Sequence, residues 1–218
     1  MRDVFHHELD QLASGLVEMT DLVGRAVGDA TSALLDADLT LAEAVIADDA
    51  RVDALQTELD ERAVDLLARQ QPVATDLRVV VASLRMSASI ERMGDLARHI
   101  AQQARLRFPR TAVPEDVAPT FARMGEVCRR LANEAGEVIR TRDLAAAAQL
   151  ETDDDLLDRL HREVFTRLMS PDWQHSAEAT VDVTLISRYY ERFGDHSVSV
   201  ARRVVFLVTG DLTGTQTS

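Results

Sequence analysis

Cysteine is nearly missing from these 218 residues. A lone thiol, Cys128, cannot build an internal disulfide framework, so the fold must rest on its packed core. Lysine is absent, and all 24 basic residues are arginines scattered along the chain. Against them stand 37 acidic residues, and the formal net charge of −13 repels polyanions, so no nucleic-acid partner is expected. Aromatic residues make up 4%, with 9 glycines and 5 prolines, too few for a chain built from many tight turns. No uninterrupted apolar run approaches the ~20 residues that a bilayer-spanning helix needs, so any membrane association is expected only through a partner. No signal-peptide pattern follows Met1-Arg2-Asp3, which gives the expectation of a cytoplasmic protein.

What is present is helical: Ala, Leu, Val, Asp, Glu and Arg dominate. Apolar residues at helical spacing predict six helices, over about 5–35, 40–69, 75–108, 121–139, 144–169 and 176–208. Asp36-Ala37-Asp38 reads as the first bend, and Thr40 with Glu43 has the spacing of a capping box that would start the second helix. Gln70-Gln71-Pro72, Thr141-Arg142-Asp143 and Ser170-Pro171-Asp172 are the other breaks. Pro109, Pro114 and Pro119 mark the only clear linker. The expected organisation is all-α: a first antiparallel three-helix bundle over 1–108, a linker over 109–119, a second such bundle over 120–210, and a frayed tail over 211–218.

Duplication is visible position by position. Ile90-Glu91-Arg92-Met93-Gly94-Asp95 returns 100 residues later as Tyr190-Glu191-Arg192-Phe193-Gly194-Asp195. Asp49, Asp53, Leu55 and Glu58 return 105 residues later as Asp154, Asp158, Leu160 and Glu163. The five-residue difference falls among the proline breaks, where loops tolerate change. Each half therefore carries Asp-x-x-x-Asp on its second helix and Glu-x-x-x-Asp on its third. Like charges four apart weaken an isolated helix by about 0.2–0.5 kcal/mol, and a helix-interior glycine costs about 1 kcal/mol relative to alanine.

Two readings of that repeated cost stay open. Antiparallel neighbours can bring the two acidic pairs of one half around a common volume, and four carboxylates suit Mg²⁺, Ca²⁺, Mn²⁺ or iron, with Gly94 and Gly194 leaving room beside the backbone. Alternatively, Arg92 and Arg98 flank Asp95, Arg188 precedes Glu191 and Arg192 precedes Asp195, all at spacings that allow helical ion pairs. Behind Glu91 the line Ala88, Leu84, Val81 and Leu77 is apolar and reads as buried, as does a second line, Met86, Ile90, Met93, Ala97 and Ile100. A ferritin-like di-iron site is not expected, because neither Glu91 nor Glu191 has a histidine three residues on; His99 is matched by Ser199. His6-His7 reads as a solvated pair, Cys128 as a core thiol and Trp173 as packing over a bundle end. With no phosphate-cradling glycine loop, nucleophile elbow or zinc-spaced Cys/His set, no catalytic residues are assigned.

Together with Asp76-Leu77-Arg78 and the ending Phe206-Leu207-Val208-Thr209-Gly210, the duplicated motifs resemble the PhoU family, accessory regulators of bacterial phosphate-specific transport, over about residues 3–210. The resemblance implies six helices in two bundles and a homodimer. It implies a negative regulator that links the phosphate ABC transporter ATPase to a sensor histidine kinase of the PhoR type, without catalytic turnover. It further implies iron or zinc clusters held by Asp49, Asp53, Glu91 and Asp95 in one half and by Asp154, Asp158, Glu191 and Asp195 in the other. Ser89 and Tyr189 stand where family members often carry Asp or Asn, which weakens the second site more than the first. The rival reading is a carboxylate-bridged metalloenzyme or metal store.

Overall fold

The computed structural model describes residues 2–211, with side chains from residue 7 onward; the side chain of His6 and residues 212–218 of the tail expected over 211–218 lie outside what is described. It contains six helices and, among the described residues, no strand: α1 (Arg2–Asp36), α2 (Leu39–Gln70), α3 (Ala74–Arg107), α4 (Ala118–Thr141), α5 (Leu144–Leu168) and α6 (Ala177–Thr209). No helix among the described residues is long and apolar enough to cross a membrane.

The second helix of each half starts on the same device. Asp38 accepts a hydrogen bond from the Leu41 amide at 3.0 Å, and Asp143 accepts from the Ala145 amide at 2.7 Å. The expected Thr40–Glu43 capping box is not what starts α2: Thr40 already lies inside the first turn, and Asp38 supplies the acceptor for an otherwise unpaired helix-end amide. A left-handed Gln71 ends α2, and Pro72 prevents its continuation. Ser176 caps α6 by accepting from the Ala179 amide at 3.1 Å.

One hydrophobic core runs through both halves. α1, α3, α4 and α6 form its centre, with α1 against α4 and α3 against α6; α2 covers α1 and α3, and α5 covers α4 and α6. The α1–α4 crossing is close because glycine faces threonine twice. A Cβ on Gly125 would lie 2.4 Å from Thr31 Oγ1, and one on Gly136 would lie 2.5 Å from Thr20 Oγ1. Thr20 and Gly125 are 105 residues apart, as are Thr31 and Gly136, so the two contacts exchange under the duplication. In the stretch between α3 and α4, Ala112, Val113 and Val117 are buried, and Pro119 sits in the first turn of α4.

α3 and α6 run antiparallel. Arg107 near the end of α3 binds Asp182 near the start of α6 (Nε to Oδ2 2.6 Å, Nη2 to Oδ1 2.9 Å), Ser197 Oγ meets Met93 Sδ at 3.8 Å, and Arg78 lies against Gly210. The second apolar line on α3 is buried as expected: Met86, Ile90, Met93, Ala97 and Ile100 are all 2% exposed or less. The first line is not buried. Leu77 is 40% exposed, Ala88 is exposed, and Val81 and Leu84 are half-buried, because that side of α3 lies at the edge of its contact with α2. The acidic motif thus opens on a margin of the bundle rather than inside it.

Candidate functional site

α2 and α3 bring the first four acids together, and the repeated α5 and α6 do the same for the second four. In the first pocket Asp49, Glu91 and Asp95 are partly buried, with side chains 10%, 18% and 14% exposed, while Asp53 is exposed at the rim. α2 comes close to Gly94: a Cβ there would lie 3.2 Å from Asp49 Oδ1, a tight contact that a small shift of the side chain relieves. Arg98 spans the gap between helices. Its Nη2 donates to Asp95 Oδ1, and its Nε lies 2.6 Å from Asp49 Oδ2, as an ion pair rather than a well-directed hydrogen bond. Arg92 Nη1 donates to Asp95 Oδ2 at 2.7 Å and its Nε lies 3.6 Å from Glu91.

The electrostatics follow from these contacts. Burial acts to raise the Asp95 carboxyl, but Arg98 and Arg92 outweigh it and hold the group below the usual carboxylate range. Burial pushes Asp49 up to about 6; Arg98 pulls it down, while Asp53 and Asp95 push it up. Glu91 is raised by burial and then by Asp95.

In the second pocket Asp154 and Glu191 are turned inward, Asp158 is half-buried and Asp195 is exposed. A Cβ on Gly194 would fall 2.0 Å from Asp154 Oδ1, so this carboxylate occupies the space that the glycine leaves open. That Oδ1 is buried with no hydrogen-bond partner, and so is Glu191 Oε2, although the outer side of Glu191 is met by Arg188. Burial pushes Asp154 up to about 7, and the charges that add to this are all acidic: Asp158, Asp195, Asp155 and Glu191. Glu191 is raised too, by burial and by Asp195. Arg192 forms no ion pair with Asp195, so of the four helical pairings that spacing allowed, three form.

Both halves match one family model. The PhoU domain matches residues 16–104 and again 121–204. The chain belongs to the PhoU family. It is 50% identical over 210 residues, 96% of its length and 99% of the relative's, to the phosphate-specific transport system accessory protein PhoU homolog 2 of Mycobacterium tuberculosis. It is 28% identical over 208 residues, 94% of this chain and 87% of the relative, to the PhoU homolog of Rhizobium meliloti. The crystal structure of PhoU from Pseudomonas aeruginosa superposes with a TM-score of 0.83 at 30% identity, covering 95% of this chain and all 100% of that one. The phosphate transport system regulatory protein PhoU of Streptococcus pneumoniae shares the fold with a TM-score of 0.86 at 24% identity, covering 96% and 99%.

The metal that the PhoU resemblance implies can be tested against the side chains. Among the described residues no three His, Cys, Asp or Glu side chains converge as a ready-made metal cage. The second pocket nevertheless has oxygen donors: the buried, unpartnered Asp154 Oδ1 in the space beside Gly194, the buried, unpartnered Glu191 Oε2, and Asp158 and Asp195 close enough to act on Asp154. In the first pocket an arginine already lies among the carboxylates.

One residue of this PhoU chain, His161, escaped the sequence reading, and the role of Arg98 was read only in part. Arg98 was visible as an i,i+3 partner of Asp95, but nothing in the sequence placed it against Asp49 on another helix. His161 stands three residues after Asp158, and that spacing alone was a signal; burial lowers its pKa, Arg188 lowers it further, and its Nδ1 is buried without a partner. Tyr189 does not enter the acid cluster as a phenol ligand would: its ring lies tilted against His99, with the ring centres 5.3 Å apart. Cys128 is fully buried, and Trp173 packs partly buried at the bundle end with its Nε1 donating to Thr180 Oγ1 at 2.8 Å.

Proposed function

We propose that this PhoU-family chain is an accessory protein of phosphate-specific transport that works by contact and not by catalytic turnover. The observation that carries the reading is the match across the whole chain and in both halves to proteins named for that role. In the cytoplasm, as a homodimer, it engages the ATPase of a phosphate ABC transporter and a sensor histidine kinase of the PhoR type. With phosphate plentiful it holds uptake and kinase output low. Six long helices sharing one core give such an adaptor a rigid body with extended faces, which supports recognition by contact. The decisive experiment deletes the gene and follows a phosphate-responsive reporter in excess phosphate: output should rise. An unchanged reporter, in a genome with no second copy, overturns the reading. Pull-down of the transporter ATPase and the kinase from cells grown at high and low phosphate tests the partners separately.

A second component is metal binding at the repeated carboxylates, with a divalent ion such as iron, zinc, Mg²⁺, Mn²⁺ or Ca²⁺ as the ligand. The unpartnered oxygens of Asp154 and Glu191 favour it. When bound, the ion would supply positive charge that lets carboxylates from α5 and α6 stay ionised side by side. The metalloenzyme alternative separates cleanly: an adaptor keeps its partners after chelation, whereas an enzyme loses its turnover with its metal.

A further inference from the structure

We propose that Arg98 is a tethered cation that closes the first acidic pocket to metal, so that the two pockets of the duplicated chain are unequal and only the second takes up an ion. This rests on the metal-binding reading above and goes beyond it, because the duplication by itself would give two equal sites.

The argument is one of substitution at a single matched position. Arg98 lies seven residues after Glu91, and the residue seven after Glu191 is Val198. The guanidinium of Arg98 lies between Asp49 of α2 and Asp95 of α3, within ion-pair distance of both, and these are two of the three partly buried acids of the first pocket, Glu91 being the third. A divalent ion in that pocket would need the same oxygens. A guanidinium held by its own helix hydrogen-bonds Asp95 and supplies positive charge to Asp49 at once, without having to be captured from solution. Val198 is apolar and buried, so no cation reaches Asp154 from the matching place. The second pocket's arginine, Arg188, comes from the other direction and touches Glu191 alone. The orphaned oxygens divide accordingly. Asp154 Oδ1 and Glu191 Oε2 are buried without partners, while no oxygen of Asp49, Glu91 or Asp95 is in that condition.

The test is Mn²⁺ binding by equilibrium dialysis and metal analysis of the full chain, stripped with chelator beforehand, with helical content checked by circular dichroism. The wild type should take up one ion per chain, Asp154→Asn none, Asp49→Asn still one, and Arg98→Val, which copies the second pocket, two. Two ions on the wild type, or a loss of the single ion in Asp49→Asn, overturns the proposal. If the wild type binds no Mn²⁺ at all, the metal reading fails by itself, and the role of Arg98 is decided by melting in chelator. Arg98→Val should then lower the midpoint by several degrees, and adding Asp49→Asn to it should recover part of the loss, because the orphaned charge is gone. No drop for Arg98→Val, or no recovery, counts against Arg98 as the pocket's cation.

Discussion

Arg98 and Val198 occupy the same place in the duplicated pattern, and the pockets around them differ in what they leave unfinished. In the first, Asp95 is held below its ordinary range by two arginines. In the second, Asp154 is pushed up to about 7 and its buried Oδ1 has no partner. The helices, the glycines and the four acids are the same in kind. A cluster of like charges can therefore recur in both halves while an arginine bridges acids of both helices in only one of them.

The largest effect that tests this comparison is expected at Gly194, with Gly94 as its counterpart. Alanine at Gly194 would set its Cβ 2.0 Å from Asp154 Oδ1 and 2.7 Å from Leu157 Cδ2, so the second pocket must deform; urea denaturation should show a loss of about 1–3 kcal/mol. Alanine at Gly94 meets Asp49 Oδ1 at 3.2 Å, a small relaxation offset by about 1 kcal/mol of helix propensity, so Gly94→Ala should be close to neutral. Equal losses at both sites would break the comparison.

Next in size is the charge itself, measured on chelated protein. Asp154 has an ordinary pKa of 3.8 and a folded value of about 7, so the folded chain holds this proton longer than the unfolded one does. Its ionisation destabilises: the penalty is absent below about pH 4, grows between the two values and is complete above about pH 7. Asp154→Asn should therefore stabilise by about 1–2 kcal/mol at pH 8, less than the full shift implies because the group is part-exposed, and the gain should vanish at pH 4. Asp95 has the opposite sign. Its pKa is depressed, so its stabilisation is present above the ordinary carboxylate range and lost as the pH falls, and Asp95→Asn should cost about 0.5–1 kcal/mol at pH 7. Melting curves across the pH range check both, and the same sign for both variants would refute the inequality of the pockets.

Smaller effects belong to the core positions where the halves differ. Tyr190 stands where the first half has Ile90, and its hydroxyl bonds Thr31 Oγ1 at 2.8 Å. Tyr190→Phe should cost about 0.5–1.5 kcal/mol in urea, since Thr31 keeps its own bond to the Val27 carbonyl. Smallest of all is Cys128→Val, which copies Val23, 105 residues earlier. The thiol is fully buried and pushed well above its usual pKa by that burial, so it should resist thiol reagents until the protein unfolds. The swap should cost well under ~1.5 kcal/mol.

The helices and the pairing of the halves were legible because they depend on local pattern. Apolar spacing placed all six helices, proline and Asx residues marked their ends, and the 100- and 105-residue recurrences aligned Asp49 with Asp154 and Glu91 with Glu191. Where local pattern allowed two solutions it misled. Thr40–Glu43 had the form of a capping box, yet Asp38, two residues earlier, already served the same helix end. Leu77, Val81, Leu84 and Ala88 formed an apolar line, yet α2 covers only part of it.

The sequence by itself determined six helices, their duplication and the presence of eight acids on facing segments, because hydrophobic period and residue spacing act within one helix. Tertiary structure alone decided that Arg107 closes onto Asp182, that Asp154 lies against the bare backbone of Gly194, and that Arg98 reaches across to Asp49. Those outcomes depend on which helices are neighbours and on the distance between their axes, and no arrangement within a single helix sets either.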